Sequence, residues 1–428
     1  MKEGDVPMSN DFSGTGRHKD LSSFPTLSSH ERDWRWNRTR EMMAKNNVEC
    51  LFILPDNPFD MIDSYFTNDS PGAVVIFPLE GEPTAIFGMG ATWAGAWLMA
   101  DERGEAAWVK DWRFHPAAVV NVLKERGKAS TRIGTLGMSD GTHFTPNGSV
   151  SHGLWTTLHD SLPHAEWVPL MHEFVPIWGV KSQEDQALFR HVAAICEAAC
   201  EVAVATARPG VNELELYTKV QYEVLRHGAV SAGLIMHSGR GNVGHYAPKW
   251  LHRAQARRNI ERGDTIHIEL GANVAGAHGQ AQQSIAVGEV DEVHAKAARL
   301  AREAYEIGLS TLRPGVTFAE VCEAMAAPNR REGAWQMTPL LHSVSPGYCV
   351  DKPTKGIEHM TGLTDRYKDL YERTQTGGDI VIQAGMVFQF EPNAAFGREY
   401  VDVGGNIIVT ENGCEELNVM PTEMRVVR

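Results

Sequence analysis

The sequence predicts an α/β protein of two mixed-sheet domains, and three observations carry that prediction. At 428 residues the chain exceeds what a single hydrophobic core usually organises. Its first part alternates helical and strand patterns, which reads as a small mixed-sheet unit. Further on, Arg208-Pro209-Gly210-Val211 returns as Arg313-Pro314-Gly315-Val316, 105 residues later, each time between two helical patterns. This echo suggests that the second domain has two related halves, with chance recurrence of a short motif as the competing explanation.

Residues 1–30, dominated by Gly, Ser, Asp and Pro, read as a flexible N-terminal segment. The first domain, residues 31–178, opens with a helix over 32–46 and the apolar strand Cys50-Leu51-Phe52-Ile53-Leu54. A hairpin follows, from Ala73–Phe77 to Thr84–Phe87 across a turn at Leu79–Glu82. A helix near 115–126, a strand near 132–136, a helix near 151–160 and a strand near 165–170 complete it. The boundary falls near Pro176–Lys181, leaving 179–428 as the second domain. Ser182 caps a long helix running to Ala207, with Asp185 placed for a variant of the capping box. In each copy of the repeat, a Pro-Gly turn precedes a polar cap, Asn212 or Thr317. A glutamate then follows, Glu215 or Glu320, that can receive amide protons from the new helix.

Forty basic against 54 acidic residues give a net charge of −14, which disfavours nucleic acid or an anionic membrane as partner. The polar start Met1-Lys2-Glu3-Gly4-Asp5 has no apolar signal core, and no apolar run reaches 18 residues, so a cytoplasmic protein is expected. Six cysteines are too sparse for a disulfide scaffold. Cys196 and Cys200 share a helix face, either as buried small hydrophobes or as half of a metal or redox set. Trp34, Trp36, Trp93, Trp97, Trp108 and Trp112 crowd the first domain, as pocket walls, as a subunit contact or as plain core.

Chemistry is suggested by Thr265-Ile266-His267-Ile268-Glu269-Leu270. Ile266, Ile268 and Leu270 share one strand face, while Thr265, His267 and Glu269 share the other. A turn between Asn273 and Gly276 brings Gln280 opposite Glu269 and Gln282 near His267, with His278 on the same face. The result is a polar cavity wall, or else an exposed hairpin, which alternates in the same way. His245, in Gly244-His245-Tyr246, is a loop histidine able to move a proton near neutral pH, or simply a surface group. His342 ends the short apolar run Leu340-Leu341. Glu391 follows Val387-Phe388-Gln389-Phe390, where burial demands a cation, a metal or hydrogen-bond donors. No Gly-x-Ser-x-Gly elbow, phosphate-binding Gly-Lys loop or His-Glu-x-x-His helix is present.

In order and spacing, several stretches resemble the creatinase/prolidase/aminopeptidase P family. They are Lys181-Ser182-Gln183-Glu184, Arg208-Pro209-Gly210-Val211, Gly263-Asp264-Thr265 leading to Glu269-Leu270-Gly271-Ala272, Phe390-Glu391-Pro392, and Ile407 to Gly413. The resemblance covers roughly residues 30–425. It implies a small creatinase-like N-terminal domain and a C-terminal pita-bread domain with pseudo-twofold halves. It also implies that Glu269 and Gln280 stand at the two hairpin aspartates of metal-dependent members, His342 at their histidine and Glu391 at their first glutamate. Gly404, or Gly405 if the alignment slips by one, stands at their last glutamate. Two bridging carboxylates are thus missing, and a dinuclear centre loses its chemistry.

The metal-free creatinase is the guide that the resemblance favours, with His245 as general acid/base and Glu391 as its carboxylate partner. Gln282 stands at a substrate-binding glutamate, which weakens the case for a guanidinium substrate. The leading expectation is therefore a cofactor-free hydrolase of a C–N bond in a small molecule. In it His245, Glu391, Glu269 and His342 would do the chemistry while His267, His278, Gln280 and Gln282 bind substrate. One alternative is a lyase or atypical hydrolase with a single Mn, Fe or Zn ion on Glu269, His342 and Glu391. The other is a pseudo-peptidase that only binds. A homodimer is implied, with the N-terminal domain capping its own or a neighbouring site.

Overall fold

The computed structural model describes residue 21 and residues 23–55, 61–69, 72–88, 91–102, 107–115, 117–138, 150–241, 243–363 and 374–428. Most of the segment expected to be flexible, residues 1–20 and 22, lies outside them, as does the side chain of Trp93.

The first layer builds on α1 (Ser29–Lys45), β1 (Cys50–Ile53), α2 (Ile62–Thr67), β2 (Val74–Pro78), β3 (Thr84–Ile86) and α3 (Ala91–Glu102). It continues through β4 (Asp111–Arg113), α4 (Ala118–Glu125), β5 (Arg132–Leu136), α5 (His152–Ser161), β6 (Glu166–Pro169) and α6 (Met171–Gly179). The strands form one six-stranded sheet, β4-β3-β2-β1-β5-β6. Its centre, Cys50–Ile53, is buried on both faces, which explains an unbroken apolar run in place of alternation. The expected elements stand within a few residues of their places, whereas α2, α3, β4 and α6 carry no clear periodic signal. The tryptophans act mainly as core: Trp36 and Trp108 are buried, and Trp97 sits against Phe87, Trp112 and Phe114.

The second layer comprises α7 (Gln183–Thr206), α8 (Glu213–Arg226), β7 (Val230–Ser238), β8 (Thr265–Val274), β9 (Ala277–Val287), α9 (Glu292–Thr311) and α10 (Phe318–Glu332). After these come β10 (Leu341–Ser343), β11 (Val387–Phe390), β12 (Asn393–Phe396), β13 (Glu399–Val409), β14 (Cys414–Glu416) and β15 (Arg425–Val427). A nine-stranded sheet runs β10-β11-β13-β9-β8-β7, with β12 and β14 also on β13 and β15 on β9. Ile266, Ile268 and Leu270 pack with Leu188, Val192 and Ile195 of α7, so the apolar face of β8 meets the helices as its alternation predicts. The exposed-hairpin alternative is ruled out by burial of nearly every residue of β8 and β9. No helix among the described residues is long and apolar enough to cross a membrane.

The two caps of the internal echo differ. Thr317 and Glu320 form a full capping box, Thr317 Oγ1 accepting from the Glu320 amide and Glu320 accepting from the Thr317 amide at 2.7 Å. In the first copy, Asn212 caps through the Leu214 amide, and Glu215 turns instead to Lys219 at 2.9 Å. At Ser182 the expected box is half made. Ser182 Oγ accepts from the Asp185 amide, but the Asp185 carboxylate is drawn off to the buried guanidinium of Arg35, which also holds Glu31. A charge-assisted pair with a buried cation outcompetes a bond to a helix-end amide.

Candidate functional site

The hairpin β8–β9 is the floor of the site, and its turn sets the register. Ala275 and Gly276 have φ of 47° and 82°, so the loop is only two residues long, with both in the left-handed region. Val274 then faces Ala277, Gly271 faces Gln280, Glu269 faces Gln282 and His267 faces Ser284. The expected pairing of Glu269 with Gln280 is therefore displaced by two residues. Gln280 still reaches across, its Nε2 donating to Glu269 Oε1 at 3.3 Å.

Three other segments bring groups to Glu269. The loop after β7 delivers His245, whose Nε2 lies 2.9 Å from Glu269 Oε2. The end of β11 delivers Glu391, and β13 delivers Asp402. One donor atom each from His245, Glu269, Glu391 and Asp402 falls within 4.8 Å of the others. His342, on β10, stands beside this quartet with Nε2 3.5 Å from Glu391 Oε2 and Nδ1 3.0 Å from the Ser343 carbonyl.

Electrostatics in this cluster are severe. Two like charges about 4 Å apart repel by ~4 kcal/mol even at an effective dielectric of ~20. Burial raises Glu269, but the charge and hydrogen bond of His245 overcome it and hold the carboxyl at about 2. His245, opposed by desolvation, is pulled up to about 10 by Glu269. Glu391 and Asp402 are both pushed well above the carboxylate range, first by burial and then by the neighbouring carboxylates. Three buried acids thus crowd around His245. Glu391 Oε1 and Asp402 Oδ1 are buried with no hydrogen-bond partner. Unsatisfied carboxylate oxygens converging beside an imidazole are the donor set that a divalent ion accepts. The expectation of a site without a cofactor is overturned by this cluster, which is able to chelate one ion.

Among the described residues no donor set for a second ion is found. Gln389 Nε2 donates to Gln282 Oε1 and also, at 2.9 Å, to the Phe390 carbonyl, so a neutral amide pair occupies the ground beside Gly404. Gly404 faces Gln282 in the β13–β9 ladder. A Cβ there would stand 2.6 Å from Gln282 Oε1 and inside contact distance of the Phe390 carbonyl oxygen.

Asp402 is the residue that sequence reasoning missed. It lies two positions before Gly404 on β13, so it shares that residue's strand face and places an acid one step along from the missing glutamate. The alternation of Tyr400, Asp402 and Gly404 is the signal that could have found it. Behind the quartet, Tyr400 stacks on His267 with ring centroids 3.9 Å apart, and its hydroxyl donates to the Gly244 carbonyl at 3.1 Å. Tyr400 therefore fixes the loop that carries His245. Tyr400→Phe is expected to weaken metal affinity and kcat/KM by about 10-fold or more, with an unchanged melting curve; titration calorimetry with Zn²⁺ and initial rates measure it.

Above the floor lies a cavity of about 580 Å³ whose lining includes His245, Glu269, His278, Gln280, His342 and Glu391. Of the expected substrate-binding residues, His278 and Gln280 reach it. His267 is buried behind the wall, bonded to Ser284 Oγ at 3.0 Å, and Gln282 is engaged by Gln389.

Residues 187–411 match the model of metallopeptidase family M24, a span of more than half the chain. The chain belongs to that family. Relatives of this M24 chain include the creatinase of Bacillus sp. (strain B-0618), 23% identical over 418 residues that cover 93% of this chain and 92% of that protein. Another is the Xaa-Pro dipeptidase of Pyrococcus furiosus, 22% identical over 396 residues covering 91% and 99%. Among solved structures, dipeptidase PepE of Mycobacterium ulcerans matches with a TM-score of 0.70 at 19% identity, covering 94% of this chain and 99% of that one. The prolidase of Pyrococcus horikoshii OT3 gives 0.68 at 20% identity, covering 92% and 99%. The architecture is accordingly the creatinase-like plus pita-bread fold of M24, with a partial metal-ligand set instead of a dinuclear one. Family and fold are consistent with hydrolysis of a C–N bond.

Proposed function

We propose that this M24 chain hydrolyses a C–N bond in a small molecule with the help of one divalent ion, held by His245, Glu269, Glu391 and Asp402. The convergence of those four donors within 4.8 Å carries the reading. When bound, Mn²⁺, Fe²⁺ or Zn²⁺ supplies Lewis-acid polarisation and offsets the buried negative charge.

The chain's own residues do the remaining work. Because a carbonyl only accepts, the contact of His342 Nδ1 with the Ser343 carbonyl puts the proton on Nδ1 and leaves Nε2 basic. His342 Nε2, 3.5 Å from Glu391 Oε2, takes the proton of the attacking water and returns it to the departing nitrogen. Gln280 braces Glu269 through its amide nitrogen, and its buried, unpartnered Oε1 is placed to accept a substrate N–H. In this reading His245 serves as an ion donor, and its pairing with Glu269 keeps both oriented before the ion arrives.

Turnover of a panel of small amides, before and after exhaustive chelation, tests the proposal. Activity should vanish on stripping and return with one equivalent of Mn²⁺, Fe²⁺ or Zn²⁺ per chain. Full turnover by stripped protein would sink it.

A further inference from the structure

The exposed lining of the cavity is mostly apolar. Its apolar lining includes Ile235, Met337, Pro339, Val344 and Val350, of which Ile235 faces Glu269 across the β7–β8 ladder. No lysine or arginine is found among the described residues that line it. Lys181 comes near but is spent elsewhere: buried, it donates to the carbonyls of Trp178 and Ser345, and it lines a separate small recess.

The histidines of the lining are engaged as well. His245 is paired with Glu269, and His342 stands against Glu391. His278 is held by Asn273 Oδ1 at 2.7 Å, and burial is the largest cause pushing it down to about 4. A divalent ion among three carboxylates still leaves the ligand set without net positive charge. An anionic substrate group would therefore enter a largely apolar space with no lysine or arginine among the described lining residues to meet it, a costly position for a carboxylate.

We infer that the substrate carries no free carboxylate: it is a neutral or cationic small amide or amine with a compact apolar body. Its nitrogen end meets Gln280 and Glu391, and its apolar end fills the wall of Ile235, Val344 and Val350. The assignment deepens the proposed function and rests on it for the position of the reacting bond. It separates this site from one that takes free dipeptides, each of which bears a terminal carboxylate at neutral pH.

A near-isosteric pair tests the inference through binding alone: 4-methylpentanamide against 4-methylpentanoate, by calorimetry at pH 7.5 on the full chain, both metal-stripped and reloaded. The amide should bind at least about 10-fold more tightly in both forms. Met337→Lys, which puts an ammonium group into the cavity lining at a residue outside the quartet, should shrink or invert that preference. Equal affinities, tighter binding of the acid, or no binding of either probe by the wild-type protein would overturn the substrate class. Preference for the amide in a protein that takes up no ion on reloading would leave the substrate class standing and defeat only the metal reading.

Discussion

Glu269→Gln is expected to lower kcat/KM by about 10³-fold or more, the scale of a several-kcal/mol loss of charge stabilisation at a metal-assisted centre. Glu269 is the hub of the quartet. It faces His245 at 2.9 Å, accepts from Gln280 at 3.3 Å and lies on the central hairpin, so no neighbouring side chain can take its place. The amide has nearly the shape of the carboxylate, so packing should survive and the circular dichroism spectrum should not change. Metal content should fall with activity. Asp402→Asn makes a sharper companion: it removes one of three mutually repelling buried acids, so it should lose the ion yet melt at a higher temperature than wild type. A lower melting temperature for Asp402→Asn would show that the charge crowding is relieved in some other way.

The second large effect is at Gly404. Restoring an acid there by Gly404→Glu should create no second ion site and should cost on the order of 3 kcal/mol of stability, as overpacking in a closed core does. The obstruction is backbone and a pinned amide: the new Cβ meets the Phe390 carbonyl oxygen on β11 and lies 2.6 Å from Gln282 Oε1. Moving aside would break the Gln282–Gln389 pair and the β11–β13 ladder together. Gly405 offers no escape, since a Cβ there meets Asn418 Oδ1. Guanidinium denaturation with parallel metal analysis reads both halves of the prediction. A stable variant binding two ions would mean that the second site was lost by charge alone.

Much of the fold and of the site is legible in the amino-acid sequence. The alternation at Thr265–Leu270 identifies β8 and the face that carries Glu269, because a strand between helices and a cavity must sort its side chains by parity. Glu391 is conspicuous for the same physical reason that governs it in the fold, where it is buried: an acid after an apolar strand needs a partner. Register is less legible. The two-residue turn at Ala275-Gly276 depends on left-handed φ at an alanine, which composition does not announce, and it sets Gln282 opposite Glu269. Asp402 escapes a search confined to the position of the missing acid, although strand parity places its replacement two residues away. The convergence of a β7–β8 loop, two strands and a strand end is a tertiary event that no local pattern encodes. That convergence is what turns a site expected to be cofactor-free into one able to hold an ion.

The most direct measurement is anomalous X-ray diffraction from crystals of protein reconstituted with Mn²⁺ or Zn²⁺, paired with elemental analysis of the same preparation. One peak per chain, among His245, Glu269, Glu391 and Asp402, absent from Glu269→Gln crystals, is the predicted result. Two peaks per chain, or none in protein that turns over its substrate, would contradict the account.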